Sequence, residues 1–124
     1  MSKIESFKDL IVYQKAYKLA MEIFQLTVNW PKEEKYSLTD QIRRSSRSIT
    51  SGIAEAWARR RYEKSFVSKL IESLGEEFET ETWLNYAVDC KYINKAEFDH
   101  ISTGYLEIKK ILVSMVNNPE KWCP

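Results

Sequence analysis

Apolar residues recur at helical spacing in four blocks of this chain. In the first, Tyr13, Ala16, Tyr17, Ala20, Phe24 and Thr27 advance by three and four, which puts them on one helix face. Val12, Leu19, Ile23, Leu26 and Trp30 form a second stripe beside it. Together they make an apolar face wider than one core needs. The spacing predicts a helix over residues 9–29 that is either very buried or also meets another subunit. Pro31 ends it by biasing Trp30 away from the α region.

A polar stretch, Lys32 to Tyr36, leads to Ser37, which the pattern offers as an N-cap with Asp40 in the first turn. The second helix is expected over residues 38–59. Its inward seam is Leu38, Ile42, Ser45, Ile49, Gly52, Ile53 and Ala56, whose small members let a neighbouring helix approach closely. Gln41, Arg44, Ser48, Ser51, Glu55 and Arg59 form a polar stripe beside that seam. The third helix is expected over residues 62–90, with Val67, Leu70, Ile71, Leu74, Phe78 and Leu84 as its apolar face. Glu81 falls where that stripe would continue, which points to a buried carboxylate matched with an Arg. Asn94 and Glu97 read as a capping box that opens a fourth helix over residues 95–117. There Phe98, Ile101, Tyr105, Ile108, Leu112 and Met115 alternate by three and four without a break. Asn117, Asn118 and Pro119 stop it, and Trp122 is expected to fold back onto the bundle. Short connections favour antiparallel neighbours. The expected fold is all-α, an antiparallel up-down-up-down four-helix bundle, with residues 1–124 as one domain.

Composition agrees with this outline. A chain of 124 residues buries roughly 65–70% of the surface its extended form exposes, enough to fold without a staple. Three Gly and three Pro are too few for an all-β chain rich in turns. Cys90 and Cys123 lie far apart and lack metal or redox spacing. The N-terminus has no apolar leader, and charges interrupt every stretch long enough to span a bilayer. The chain therefore reads as cytoplasmic, with reduced thiols and no membrane contact.

The formal net charge is +1, so any electrostatic attraction must be local. Between Leu38 and Lys64, seven cations face three anions, a net +4. Between Glu72 and Asp89 there are six acids and no Lys or Arg. Arg43, Arg47, Arg59, Arg60, Arg61 and Lys64 are the candidate nucleic-acid contacts, because guanidinium groups grip phosphate with two hydrogen bonds. Arg44, Glu55, Glu77 and Glu81 are the candidates for a structural ion-pair layer between the second and third helices, where long charged side chains near a seam find partners. No set of exposed aromatics marks base stacking in the sequence. His100 is the only histidine. Glu97 and His100 supply half of a di-iron motif that needs a second pair, so the reading is a solvated histidine and no metal. No nucleophile, phosphate loop or positioned histidine accompanies the acidic residues, and neither enzyme activity nor a cofactor is expected.

With the helices placed, the chain resembles the four-helix bundle proteins encoded within intervening sequences of bacterial 23S ribosomal RNA genes. It is similar too to the accessory variability determinant of diversity-generating retroelements. The resemblance is carried by Phe7 to Leu10, Tyr13 to Ala16, Pro31 to Glu34, Leu38 to Ser45, Ser48-Ile49 and Ile53 to Glu55. It continues through Glu79-Thr80, Trp83-Leu84, Ala87, Tyr92-Ile93, Met115 and Asn118 to Trp122. The chain departs from the family pattern at Gly52, where Asn is frequent, at Ala56, where Gly is frequent, and near Arg61, where a hydroxyl residue is frequent. The resemblance implies a bundle that assembles as a homopentamer and has no known enzyme activity. For the retroelement relatives it implies contact with RNA or DNA and with a reverse transcriptase. The leading expectation is a non-enzymatic oligomer that binds RNA or single-stranded nucleic acid through basic corners of a ring. The alternative is a protein–protein adaptor for a polymerase, reverse transcriptase or ribosome-associated partner.

Overall fold

The computed structural model describes residues 3–124, and these contain four α-helices and no strand. They are α1 (Ile11–Thr27), α2 (Asp40–Ala58), α3 (Glu63–Asp89) and α4 (Lys95–Asn117). Helices adjacent in sequence pack side by side and α4 closes onto α1, which gives the up-down-up-down bundle. The α2–α3 turn, the start of α1, the end of α4 and the C-terminal tail therefore share one end. At the opposite end the α1–α2 connection meets the α3–α4 turn. There the Trp30 and Tyr92 rings lie 5.7 Å apart, and the Tyr92 hydroxyl donates to Glu34 at 2.7 Å.

Each helix is delimited by identifiable chemistry. Before α1, Ser6 and Asp9 cap a short 3-10 turn reciprocally. The connection to α2 is itself helical, a 3-10 turn (Lys32–Glu34) followed by a π turn (Lys35–Thr39). Its cap is Glu34, whose side chain accepts from the Leu38 N–H and from the Ser37 hydroxyl. Ser37, the expected cap, is instead a donor to that carboxylate. The Ser37 and Tyr92 hydroxyls together hold the Glu34 carboxyl below its ordinary range. Asn94 and Glu97 form the expected capping box of α4. The end of α3 is a Schellman motif: Tyr92 N–H reaches Ala87 C=O, Lys91 N–H reaches Val88 C=O, and Lys91 sits at φ 64°.

The core is lined by Val12, Ala16, Leu19 and Ile23 of α1 and by Ile42, Ile49, Ile53 and Ala56 of α2. From α4 come Ile101, Tyr105, Ile108, Leu112 and Met115. Trp122 packs against this core from the tail, as expected. The interior face of α3 differs from the sequence reading. Its buried residues are Phe66, Leu70, Ser73, Glu77, Thr80, Leu84 and Ala87. Ile71 and Phe78, placed inside by the apolar pattern, are about half exposed, and Val67 and Leu74 lie at the margin. The middle of α3 thus carries a polar layer against the small residues of α2. Thr80 Oγ1 lies 2.8 Å from Ser45 Oγ, and a Cβ on Gly52 would overlap Ser73 Oγ. At Gly52 the two helices approach closely, and any larger residue there must displace Ser73.

Candidate nucleic-acid interface

The six cations singled out in the sequence do not form one surface. Arg43 and Arg47 belong to the first half of α2 and lie against α1. Arg43 donates from Nε to Thr27 Oγ1 at 2.8 Å, and its guanidinium lies 4.9 Å from the Phe24 ring centroid. Arg47 lies 5.9 Å from the same ring. Arg59, Arg60, Arg61 and Lys64 occupy the α2–α3 corner, sixteen residues on from Arg43 by sequence number, or about 24 Å along the helix. Arg59, Arg61 and Lys64 are exposed. Among the described residues neither they nor Arg60 form a salt bridge.

Local backbone chemistry builds this corner. α2 ends when Arg59 leaves the helical region at φ −99°, ψ 9°, and its N–H closes on the Ala56 and Trp57 carbonyls. Tyr62 is extended, at φ −118°, ψ 100°, and its carbonyl accepts from Phe66 to start α3. Four residues thus reverse the chain with their side chains directed outward. Arg60 is the exception: its guanidinium lies 3.4 Å from the Trp57 ring centroid while its Nε donates to the Trp57 carbonyl at 2.9 Å. Such stacking fixes the plane of the guanidinium without neutralising it.

The expected ion-pair layer is rearranged. Arg44 does not reach α3; it is exposed, and among the described residues its charged neighbour within bridging distance is Asp40, at 3.7 Å on its own helix. Its position on α2 turns it away from the Ser45–Gly52 seam that faces α3. Glu55 does bridge to α3, but through Lys69 at 2.8 Å, and each partner's pKa moves toward its charged form. Glu81 is partly exposed and pairs with Lys109 of α4 at 3.0 Å, not with an Arg.

Glu77 is the buried carboxyl of the set, fully enclosed, and among the described residues no donor reaches either oxygen. The neighbouring polar group is the Glu81 carboxylate. That contact is a hydrogen bond only when one of the two acids carries the proton. Burial pushes Glu77 up to about 9, whereas the proton donated by Glu77 and the nearby Lys109 hold Glu81 below its ordinary range. Burial likewise raises Tyr105, whose hydroxyl in the same interior has no hydrogen-bond partner among the described residues. The sequence places Glu77 in an ion-pair layer and not unpaired in the interior, because it sits between apolar residues of a different stripe. The heptad Phe66, Leu70, Ser73, Glu77, Thr80, Leu84, matched to the small seam of α2, would have located it.

His100 is not merely solvated. Its Nε2 lies 2.8 Å from Glu22 Oε1 across the α1–α4 groove, while Glu97 is engaged in the helix cap. The Glu97–His100 pair therefore does not converge on a common point.

Sequence reasoning also missed the aromatic content of the two basic regions. Tyr62 stands in the middle of the Arg59–Lys64 cluster with 68% of its surface exposed. Beside Arg47, the residues Phe7, Tyr13, Tyr17, Ala20 and Met21 of the N-terminal region line a groove of about 350 Å³, closed by Thr50, Ser51 and Ala54 of α2. Tyr17 and Met21 are about half exposed there.

Comparison with known proteins bears on the family and the fold. Residues 8–114 match the sequence profile of the 23S rRNA-intervening sequence protein family. The crystal structure of a protein of unknown function from the S23 ribosomal protein family of Bacteroides thetaiotaomicron superposes with a TM-score of 0.75 and 30% sequence identity. The alignment covers 86% of this chain and 98% of that one. No curated protein matches the sequence.

Proposed function

This chain belongs to the 23S rRNA-intervening sequence protein family, and we propose that it is a non-enzymatic, cytoplasmic, oligomeric bundle that binds RNA or single-stranded nucleic acid. The observation that carries this reading is the α2–α3 corner, where Arg59, Arg61 and Lys64 are exposed and form no salt bridge among the described residues. Arg is suited to phosphate because its charge is permanent and its donors are arranged as a fork. A single corner binds weakly. Copies held in a closed ring act together by raising effective concentration.

The face that supports ring assembly is the outer side of α1. Tyr17, Met21 and Val28 are exposed, and the groove beside Arg47 extends this apolar surface onto α2. A heterologous contact of this kind closes into a ring when its rotation permits, and five copies is the number the family resemblance implies. The adaptor reading draws on the same groove, which fits an apolar partner segment. Two measurements test the proposal. Sedimentation at micromolar concentration should show a closed oligomer, and a stable monomer removes the ring. A filter-binding assay with single-stranded RNA at low salt should show retention, and its absence removes the nucleic-acid role. Partner capture that survives Arg59→Glu with Arg61→Glu, in a protein that binds no strand, establishes the adaptor instead.

A further inference from the structure

We propose that the α2–α3 corner is a stacking platform for unpaired bases, with Tyr62 and the Arg60–Trp57 stack as its π-surfaces. Its ligand is therefore a single strand and not a duplex. The inference rests on the nucleic-acid reading above and specifies the ligand class of that site.

Three observations lead to it. Tyr62 is two-thirds exposed, and among the described residues it makes no ring contact with another aromatic. A large aromatic left uncovered at a turn that also carries four cations is a surface for something planar and anionic. Secondly, the Arg60 guanidinium sits over the Trp57 ring, 3.4 Å from its centroid. Arg60 is only partly covered, and proteins use guanidinium planes held in this way to stack splayed bases. Thirdly, the cations around these two surfaces have different work. Arg59, Arg61 and Lys64 are not fixed on aromatic rings and are placed for phosphate, whereas Arg60 is held by its stack and its Nε bond to the Trp57 carbonyl.

Charge also selects among occupants. Glu63 is the one carboxylate within the Arg59–Lys64 run, so the corner suits a polyanion better than an acidic-basic protein surface. A duplex presents phosphates but keeps its base faces stacked inside, so it could use the arginines and not Tyr62. A single strand offers both groups at once, and base–aromatic stacking tolerates any sequence because every base has a π-face. From the corner, a shallow groove lined by Glu63, Lys64, Val67, Ser68 and Ile71 continues along α3, with Val67 and Ile71 as an apolar floor for a neighbouring base.

The test uses the full chain and a 5′-labelled RNA of about 16 nucleotides, at the upper end of single-domain site sizes, alone and annealed to its complement. Fluorescence anisotropy at low salt should show the single strand bound roughly tenfold or more tighter than the duplex. Tyr62→Ala should weaken the single strand about tenfold, leave the duplex unchanged and leave the salt dependence of binding unchanged. Tyr62→Phe, which keeps the ring, should bind like the unaltered protein. Tryptophan fluorescence should change on addition of the single strand, and the change should be lost in Trp57→Phe. Since Tyr62 is exposed, an unchanged far-UV spectrum and melting midpoint in Tyr62→Ala should confirm that the fold is intact. Equal binding of strand and duplex, or equal affinity in Tyr62→Ala, overturns the stacking platform while leaving phosphate binding in place. Binding of neither form at low salt overturns both, and a protein partner lost in Tyr62→Ala without any strand binding assigns the corner to protein recognition.

Discussion

Replacing Glu77 with Gln isolates the energetic effect of the interior acid. In the folded chain burial pushes this carboxyl up to about 9 from an ordinary 4.5. In the unfolded chain it ionises in its ordinary range. Between those values the folded state retains a proton that the unfolded state has released. Stability then falls with rising pH by about 1.4 kcal/mol per unit for this one group. The contribution is fully present below pH about 4.5 and is lost progressively until the pH passes about 9. At pH 7 the loss relative to acid is about 3 kcal/mol, a large part of the stability of an ordinary domain. Gln preserves the volume and donates to Glu81 as the protonated acid does, but it cannot ionise. Its second amide hydrogen has no acceptor, a penalty of about 1–3 kcal/mol at every pH.

The two stability curves should therefore cross. Glu77→Gln should be the less stable protein near pH 5 and the more stable one near pH 8.5, the difference tilting by about 1.4 kcal/mol per unit. Glu76, whose carboxyl burial also raises, titrates in both proteins and cancels in the difference. Glu81 is lowered and acts only on the acid side of this window. Urea unfolding followed by far-UV circular dichroism, at one fixed protein concentration, supplies the curves. Parallel curves would show that Glu77 is ionised in the folded state or hydrated there, and would refute the reasoning.

Two further substitutions probe how the helices meet and end. Gly52→Ala drives a Cβ into Ser73 Oγ and also places it 3.3 Å from Ser73 Cβ. It should destabilise by about 1–3 kcal/mol, and the double variant with Ser73→Ala should recover part of that loss in a thermal melt. Additive losses would show that the two residues do not interact. Lys91→Gly relieves a non-glycine residue at φ 64° in the Schellman turn. It should gain up to about 1 kcal/mol in urea unfolding, and a loss would mean that the Lys91 side chain contributes more than its backbone strain.

The sequence is most legible where apolar periodicity coincides with burial. The α4 pattern from Ile101 to Met115 is buried residue for residue, because that helix contributes only apolar side chains and Tyr105 to the interior. Its cap was legible too, since Asn94 and Glu97 carry their chemistry at fixed spacing. α3 was misread for the converse reason. Its centre meets the Ser and Gly seam of α2, where only small or polar groups fit, so Ser73, Glu77 and Thr80 go inward and Ile71 and Phe78 turn outward. A rule that follows apolar residues selects the wrong face there. The arginines were legible as a group but not as individuals. Whether an Arg is held on Phe24 or Trp57 or stands free depends on tertiary neighbours that no local pattern specifies.

The most direct test of the central claim is the salt dependence of single-stranded RNA binding. For the unaltered protein log K should fall linearly with log salt, at about −0.7 per phosphate neutralised, and Arg59→Ala with Arg61→Ala should flatten the slope by about 1.4 for each corner engaged. Affinity that does not change with salt, or a slope untouched by losing both arginines, would contradict the account.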